Sequence, residues 1–300
     1  MASRPVWVNE QLFPFESHFA EVGGARVHYI DQGQGPVFLG LHGNPTWSFL
    51  YRHIVAGLDD SFRCIALDYP GFGLSTAPPG YGYTIAEHSQ VVEGFVSQLG
   101  LEGITLMVQD WGGPIGLSVA VREPERFRAF VIGNTWGWPV RGEKNFERFS
   151  KLLGSSVPGG FLVERLDLFT RVFVPGGIKR KKLTKAEKDM YQRPHPTAAS
   201  RVPVHVMPRE ILTADELLSE VERGLPRVAH LPALIVWGDR DQAFKEPQRL
   251  RWERTFPNHQ TVILHGASHY IQEDAPQEIV AAIKAWWPGE QSSQGGGGQP

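Results

Sequence analysis

The sequence predicts an α/β protein: a mostly parallel sheet with helices on both faces, interrupted late in the chain by a helical insertion. Three observations predict it. Short continuous apolar runs recur through the first 136 residues, as expected of strands buried on both faces. Helical patterns separate these runs, and strand–helix alternation builds a parallel sheet. From about Gly137 to Arg227 no buried strand is legible, and then the alternation resumes.

The elements follow in order. Ala25 to Ile30, Val37 to Leu41, Phe62 to Leu67, Ile104 to Val108 and Ala129 to Ile132 read as strands. Thr84 to Leu99 reads as a helix, with Ile85, Val92, Phe95, Val96 and Leu99 near helical spacing and a capping box of Thr84 with Glu87. The insertion carries helical stretches at Phe146 to Leu153, Leu162 to Val172, Lys185 to Tyr191 and Ala214 to Glu222, broken by Pro and Gly. Strands return at Ala233 to Val236 and Thr261 to Leu264, with helices at Pro247 to Phe256 and Pro276 to Trp287. The expected organisation is a discontinuous core of residues 1–136 and 228–288, a helical cap of 137–227 and a flexible tail of 289–300. A cap inserted in this way covers the carboxyl edge of the sheet, where open parallel sheets bind ligands.

Composition narrows the function classes. With 41% hydrophobic and 21% charged residues, the 300-residue chain buries a real core. A formal net charge of −2 argues against nucleic-acid and membrane-surface partners. The basic run Lys179-Arg180-Lys181-Lys182 lacks interleaved aromatics and reads as a solvated loop. Cys64 is the single cysteine, within an apolar run, so it reads as a small buried hydrophobe in a reducing compartment such as the cytoplasm. Met1 to Pro5 precede no apolar h-region, so no signal peptide is expected, and no apolar run reaches membrane-spanning length.

Four motifs carry chemistry. In Met107-Val108-Gln109-Asp110-Trp111-Gly112-Gly113 an apolar strand ends at Asp110 and small residues follow, the context of a nucleophile elbow. Gly112, Gly113 and Gly116 let the helix approach; Val108 departs from the small residue expected on the strand side. Asp110 as a plain helix cap is the competing reading. Leu41-His42-Gly43-Asn44-Pro45 follows the strand whose loop supplies one backbone N–H to an oxyanion hole, the other coming from the residue after the nucleophile. Those residues are Asn44 and Trp111. His269, in a loop after the last strand, is positioned as general base, with His265 the weaker candidate. Trp237-Gly238-Asp239-Arg240-Asp241 supplies a carboxylate to orient the imidazole; Asp241, deeper in the loop, is preferred over Asp239. The chain order nucleophile, acid, base is that of the α/β-hydrolase fold.

These residues resemble the haloalkane dehalogenase family of α/β hydrolases. The resemblance runs from about Pro14 to Trp287 and rests on His42-Gly43-Asn44-Pro45-Thr46, Asp68-Tyr69-Pro70-Gly71-Phe72-Gly73, Gln109-Asp110-Trp111-Gly112-Gly113 and His269-Tyr270-Ile271-Gln272-Glu273-Asp274. It implies an eight-stranded, mostly parallel sheet with an inserted cap. It also implies hydrolysis of haloalkanes by water, a halide ion product, and a halide cradle made by the side chains of Asn44 and Trp111. Some members take the acid from a glutamate after the sixth strand; Asn134 stands there, so Asp241 is the implied acid. An Asp-His-Asp triad with an Asn-Trp halide pair is similar to the third subfamily, whose tendency to associate implies a homo-oligomer. No metal or organic cofactor is expected, since no Cys/His cluster has zinc spacing.

Three other readings compete. Epoxide hydrolases resemble the chain in their aspartate nucleophile but use two cap tyrosines, and the cap holds only Tyr191. Fluoroacetate dehalogenases place arginines beside the nucleophile, where this chain has Trp111 and Pro114. A non-catalytic binding protein on the same fold should lack part of the constellation. Trp136, Trp138, Phe169 and Phe173 are candidate walls of an apolar pocket or packing between cap and core.

Overall fold

A computed structural model describes residues 4–287. Eight strands form one sheet in the order β1-β2-β4-β3-β5-β6-β7-β8. They are β1 (His18–Val22), β2 (Ala25–Gln32), β3 (Val37–Leu41), β4 (Arg63–Leu67), β5 (Ile104–Gln109), β6 (Phe127–Gly133), β7 (Ala233–Gly238) and β8 (His259–Leu264). The β1–β2 and β2–β4 pairs are antiparallel and the others parallel.

The seven strands expected from apolar runs are all present, and β1 is the eighth. Its five residues alternate too briefly, with only Ala20 and Val22 buried, to stand out in the sequence. Every residue of β5 and β7 is buried, because helices cover both faces. On the sheet lie α1 (Arg52–Leu58), α2 (Ile85–Gln98) and α3 (Gly112–Arg122). The Thr84–Glu87 capping box forms at the start of α2.

Between β6 and β7 the chain makes α4 (Lys144–Leu153), a single turn α5 (Val174–Gly176), α6 (Lys185–Gln192), α7 (Val202–Thr213) and α8 (Asp215–Gly224). The expected helix Leu162 to Val172 is instead two π-helical turns, Phe161–Arg165 and Phe169–Phe173. Asp167 separates them at φ +57°, a conformation that no regular helix accommodates. The sequence reading missed α7, whose Pro203 and Pro208 look like breaks. After β7 come α9 (Glu246–Thr255), α10 (Ile271–Asp274) and α11 (Pro276–Trp286). The expected tail lies outside the described residues.

The basic run is anchored rather than simply solvated. The backbone N–H groups of Lys179 and Arg180 donate to Asp274, and Lys181 pairs with Glu187 and Glu273. Glu273 is also bound by buried Arg52 from α1 and by the Tyr191 hydroxyl from α6. The insertion is thereby fastened to the segment just after His269. Cys64 is buried, and burial pushes its thiol up, so it is the inert apolar side chain expected. No helix among the described residues is long and apolar enough to cross a membrane.

Candidate active site

Asp110 stands between β5 and α3 at φ +50°, the left-handed conformation that a non-glycine residue adopts only when its surroundings hold it there. Its N–H donates to Asn134 O, and its carbonyl accepts from Gly113 N–H and the Thr135 hydroxyl. The turn demands close approach. A Cβ on Gly43 would lie 2.3 Å from Asp110 Oδ2, and one on Gly113 would lie 1.9 Å from Thr135 Oγ1. Val108 is accommodated across the strand by Gly116, where a Cβ would come 3.1 Å from Val108 Cγ1.

Asn44 N–H donates to Asp110 Oδ2 at 2.8 Å, and Trp111 N–H also donates to this carboxylate. Burial raises the Asp110 carboxyl above its ordinary range; His269 and the two backbone donors pull it down without cancelling that effect.

His269 Nδ1 lies 2.9 Å from Asp241 Oδ2. Its Nε2 lies 3.9 Å from Asp110 Oδ1, too far for a hydrogen bond. Burial pushes the imidazole down, but the Asp241 and Asp110 carboxylates outweigh it and raise His269 to about 9. Asp239 is elsewhere: it accepts from Gly266 N–H and meets His265 Nδ1 at 3.0 Å, on the exposed side of the loop. The two weaker candidates, Asp239 and His265, thus pair with each other.

A cavity of about 520 Å³ opens above these groups. Asp110, Trp111, Asn44, Asp241 and His269 all border it. Of the four aromatic candidates, Trp136, Phe169 and Phe173 are among its walls. Trp138 is not; it packs on Trp252 at 4.8 Å beneath Arg251. Among the described residues no arginine lines the cavity. Tyr191 is buried against Glu273 and does not border it either. No group of three or more metal-ligating side chains is found among the described residues.

Comparison with known proteins gives the fold and the family. Residues 36–276 match the family model of the alpha/beta hydrolase fold. Haloalkane dehalogenase 2 of Mycobacterium tuberculosis is 45% identical over 275 residues, covering 91% of this chain and 95% of that protein. The chain belongs to the haloalkane dehalogenase family. An ancestral haloalkane dehalogenase of known structure matches this dehalogenase family member with TM-score 0.80 at 27% identity, over 90% of this chain and 97% of that one. A cis-3-alkyl-4-alkyloxetan-2-one decarboxylase of Shewanella oneidensis is 34% identical over 92% of this chain and 89% of that protein.

Two amides of this dehalogenase family member, Gln109 and Asn134, sit against the histidine and the acid. Gln109 Nε2 donates to His269 O at 3.0 Å and lies 3.2 Å from His269 Nε2. The second contact is a hydrogen bond only while Nε2 is unprotonated, so Gln109 favours the neutral ring with its proton on Nδ1. Asn134 Nδ2 donates to Asp241 Oδ2 at 3.0 Å, and its Oδ1 accepts from Gly238 N–H at 2.8 Å. In the sequence Asn134 marks only the absence of a glutamate after the sixth strand; in the structure it supports Asp241.

Proposed function

We propose that this chain hydrolyses haloalkanes to alcohol and halide through an alkyl ester on Asp110. The observation that carries the reading is the strained carboxylate at the elbow, held by the N–H groups of Asn44 and Trp111 and facing an imidazole paired with Asp241. A carboxylate oxygen attacks the halogen-bearing carbon in line with the departing halide. The Trp111 indole N–H and the Asn44 amide hold that halide; among the described residues the indole has no protein acceptor, and both residues border the cavity. His269 then takes a proton from water, which attacks the ester carbonyl. The same two backbone N–H groups hold the oxyanion, worth roughly 3–4 kcal/mol per donor in comparable sites.

The charges also time the steps. With both carboxylates raising it to about 9, the resting imidazole is held toward its protonated form, and the Gln109 contact at Nε2 forms once that proton has gone. Alkylation neutralises Asp110 and removes one of the two carboxylates that raise it. His269 therefore becomes a better base for ester hydrolysis once the ester exists.

Residues 137–227 act as a cap domain over a core formed by 1–136 and 228–288. The single buried cysteine supports a cytoplasmic setting. Self-association follows from the family resemblance, and the apolar side chains Leu152, Val157 and Phe161 exposed on the insertion are compatible with it.

A second reading is favoured by the 34% identical oxetanone decarboxylase. There the same carboxylate opens the lactone at its C–O carbon, giving an Asp110 ester and a free carboxylate. Loss of carbon dioxide then forms the alkene and expels Asp110, with no water consumed. The epoxide hydrolase reading is weakened because Tyr191 lies away from the cavity.

One experiment separates these. The His269→Phe variant is mixed with 1-bromobutane, an epoxide and a cis-dialkyl oxetanone. Dehalogenation predicts about one bromide released per site, a stalled alkyl mass and a peptide adduct on Asp110. An adduct only from the epoxide, or continued alkene release from the oxetanone with no bromide burst, would overturn the haloalkane reading.

A further inference from the structure

The α7 helix contains Pro208 in its interior. Proline has no N–H, so the carbonyl four residues earlier, that of Val204, lacks its usual intrahelical donor. A buried carbonyl left without a donor is costly. Here the donor comes from the core: Asn44 Nδ2 bonds Val204 O at 3.1 Å.

This contact governs the Asn44 side chain. Among the described residues it is the only hydrogen bond that side chain makes, and its Oδ1 is buried without a partner. A carbonyl oxygen only accepts, so it selects the NH2 end of the amide and repels the oxygen end. One N–H is spent on Val204 O. The other remains for the cavity, which both Asn44 and Pro208 border.

We propose that Pro208 is a positioning residue for halide departure: by withholding an N–H from Val204, it leaves that carbonyl to aim the Asn44 amide at the leaving halide. The proposal rests on the reading of Asn44 as a halide donor. An amide that faced the halide with Oδ1 would repel it, so the orientation matters more than the presence of the residue. An ordinary helix residue at 208 would satisfy Val204 within α7 and release Asn44 to rotate.

Pro208→Ala and Pro208→Ser both restore the N–H, and both suit a helix better than proline, so α7 should persist and the melting temperature should not fall. Bromide affinity, read by tryptophan fluorescence quenching, should weaken roughly three- to ten-fold, the size of one hydrogen bond. The pre-steady-state halide burst should slow by a similar factor. Hydrolysis of the preformed ester should be unchanged, because that step uses the Asn44 backbone N–H and not its side chain. In the Asn44→Ala background the same Pro208 substitutions should add nothing to the loss of bromide affinity. Unchanged bromide affinity in both Pro208 variants, with Asn44→Ala impaired, overturns the positioning role alone. So does an effect that persists in full without Asn44, which would mark a change of cavity wall. Unchanged affinity in Asn44→Ala overturns the halide reading and the positioning role together.

Discussion

The sheet end of the site and the insertion above it are built under opposite tolerances. Every residue of β5 is buried, and Asp110 at its end is fixed by backbone donors from two loops. The insertion exposes Phe149, Leu152, Val157, Phe161, Leu166 and Val172, and it bends through two π-helical turns. Phe149 and Val172 also border the cavity. The difference teaches a division of labour: backbone hydrogen bonds at the sheet edge hold the charges, while the insertion supplies apolar wall area.

The sharpest way to break that division is at the acid. Asp241→Asn removes the carboxylate on His269 Nδ1, and steady-state turnover should fall on the order of a hundred-fold or more. Asp239→Asn, one turn outward on His265, should leave most turnover intact. The reverse ranking would mean that the exposed pair matters and the buried one does not.

Next in size is a pair of glycines. Gly113→Ala forces a Cβ to within 1.9 Å of Thr135 Oγ1, and should destabilise the fold by about 1–3 kcal/mol in urea unfolding. Gly160→Ala, in the insertion, meets nothing closer than 3.4 Å at an N-cap φ of −57°. It should be neutral or stabilising by about 0.5–1 kcal/mol. Equal losses would erase the contrast in tolerance.

The smallest effect is a titration. Asp110→Asn mimics the uncharged ester, and the His269 imidazole should titrate lower than its wild-type value of about 9 when followed by NMR. A value unmoved by the substitution would remove the proposed timing. The sign for stability follows from the raised value. His269 contributes fully below about pH 6.5, its ordinary pKa, and that contribution is lost as pH rises through about 9.

Much of the sheet was legible because burial on both faces writes continuous apolar runs, as in β5 and β7. Asp110, His269, Asp241, Asn44 and Trp111 were legible because each sits in a loop just past a strand, and they converge on one cavity. What escaped was held by tertiary contact. The short β1 is stabilised by pairing with β2 rather than by its own pattern. Pro203 and Pro208 read as helix breaks in a chain, yet the first falls in the opening turn of α7 and the second has its orphaned carbonyl served from outside. Gln109 and Asn134 are amides whose partners lie 160 and 107 residues away, beyond any local signal. The basic run read as solvated because its acceptors, Asp274 and Glu273, belong to another part of the chain.

The strands that bracket the insertion are immediate neighbours: Phe130 to Gly133 on β6 pair directly with Ala233 to Val236 on β7. In topology, then, nearly a hundred residues are a single elaborate loop between adjacent strands. Lengthening, shortening or exchanging that loop changes no strand order and shifts no register. Inheritance can therefore experiment with the roof while the floor keeps its chemistry, provided a graft from a relative matches the two stumps and moorings such as those at Asn44, Trp47, Ile85, Glu273 and Asp274.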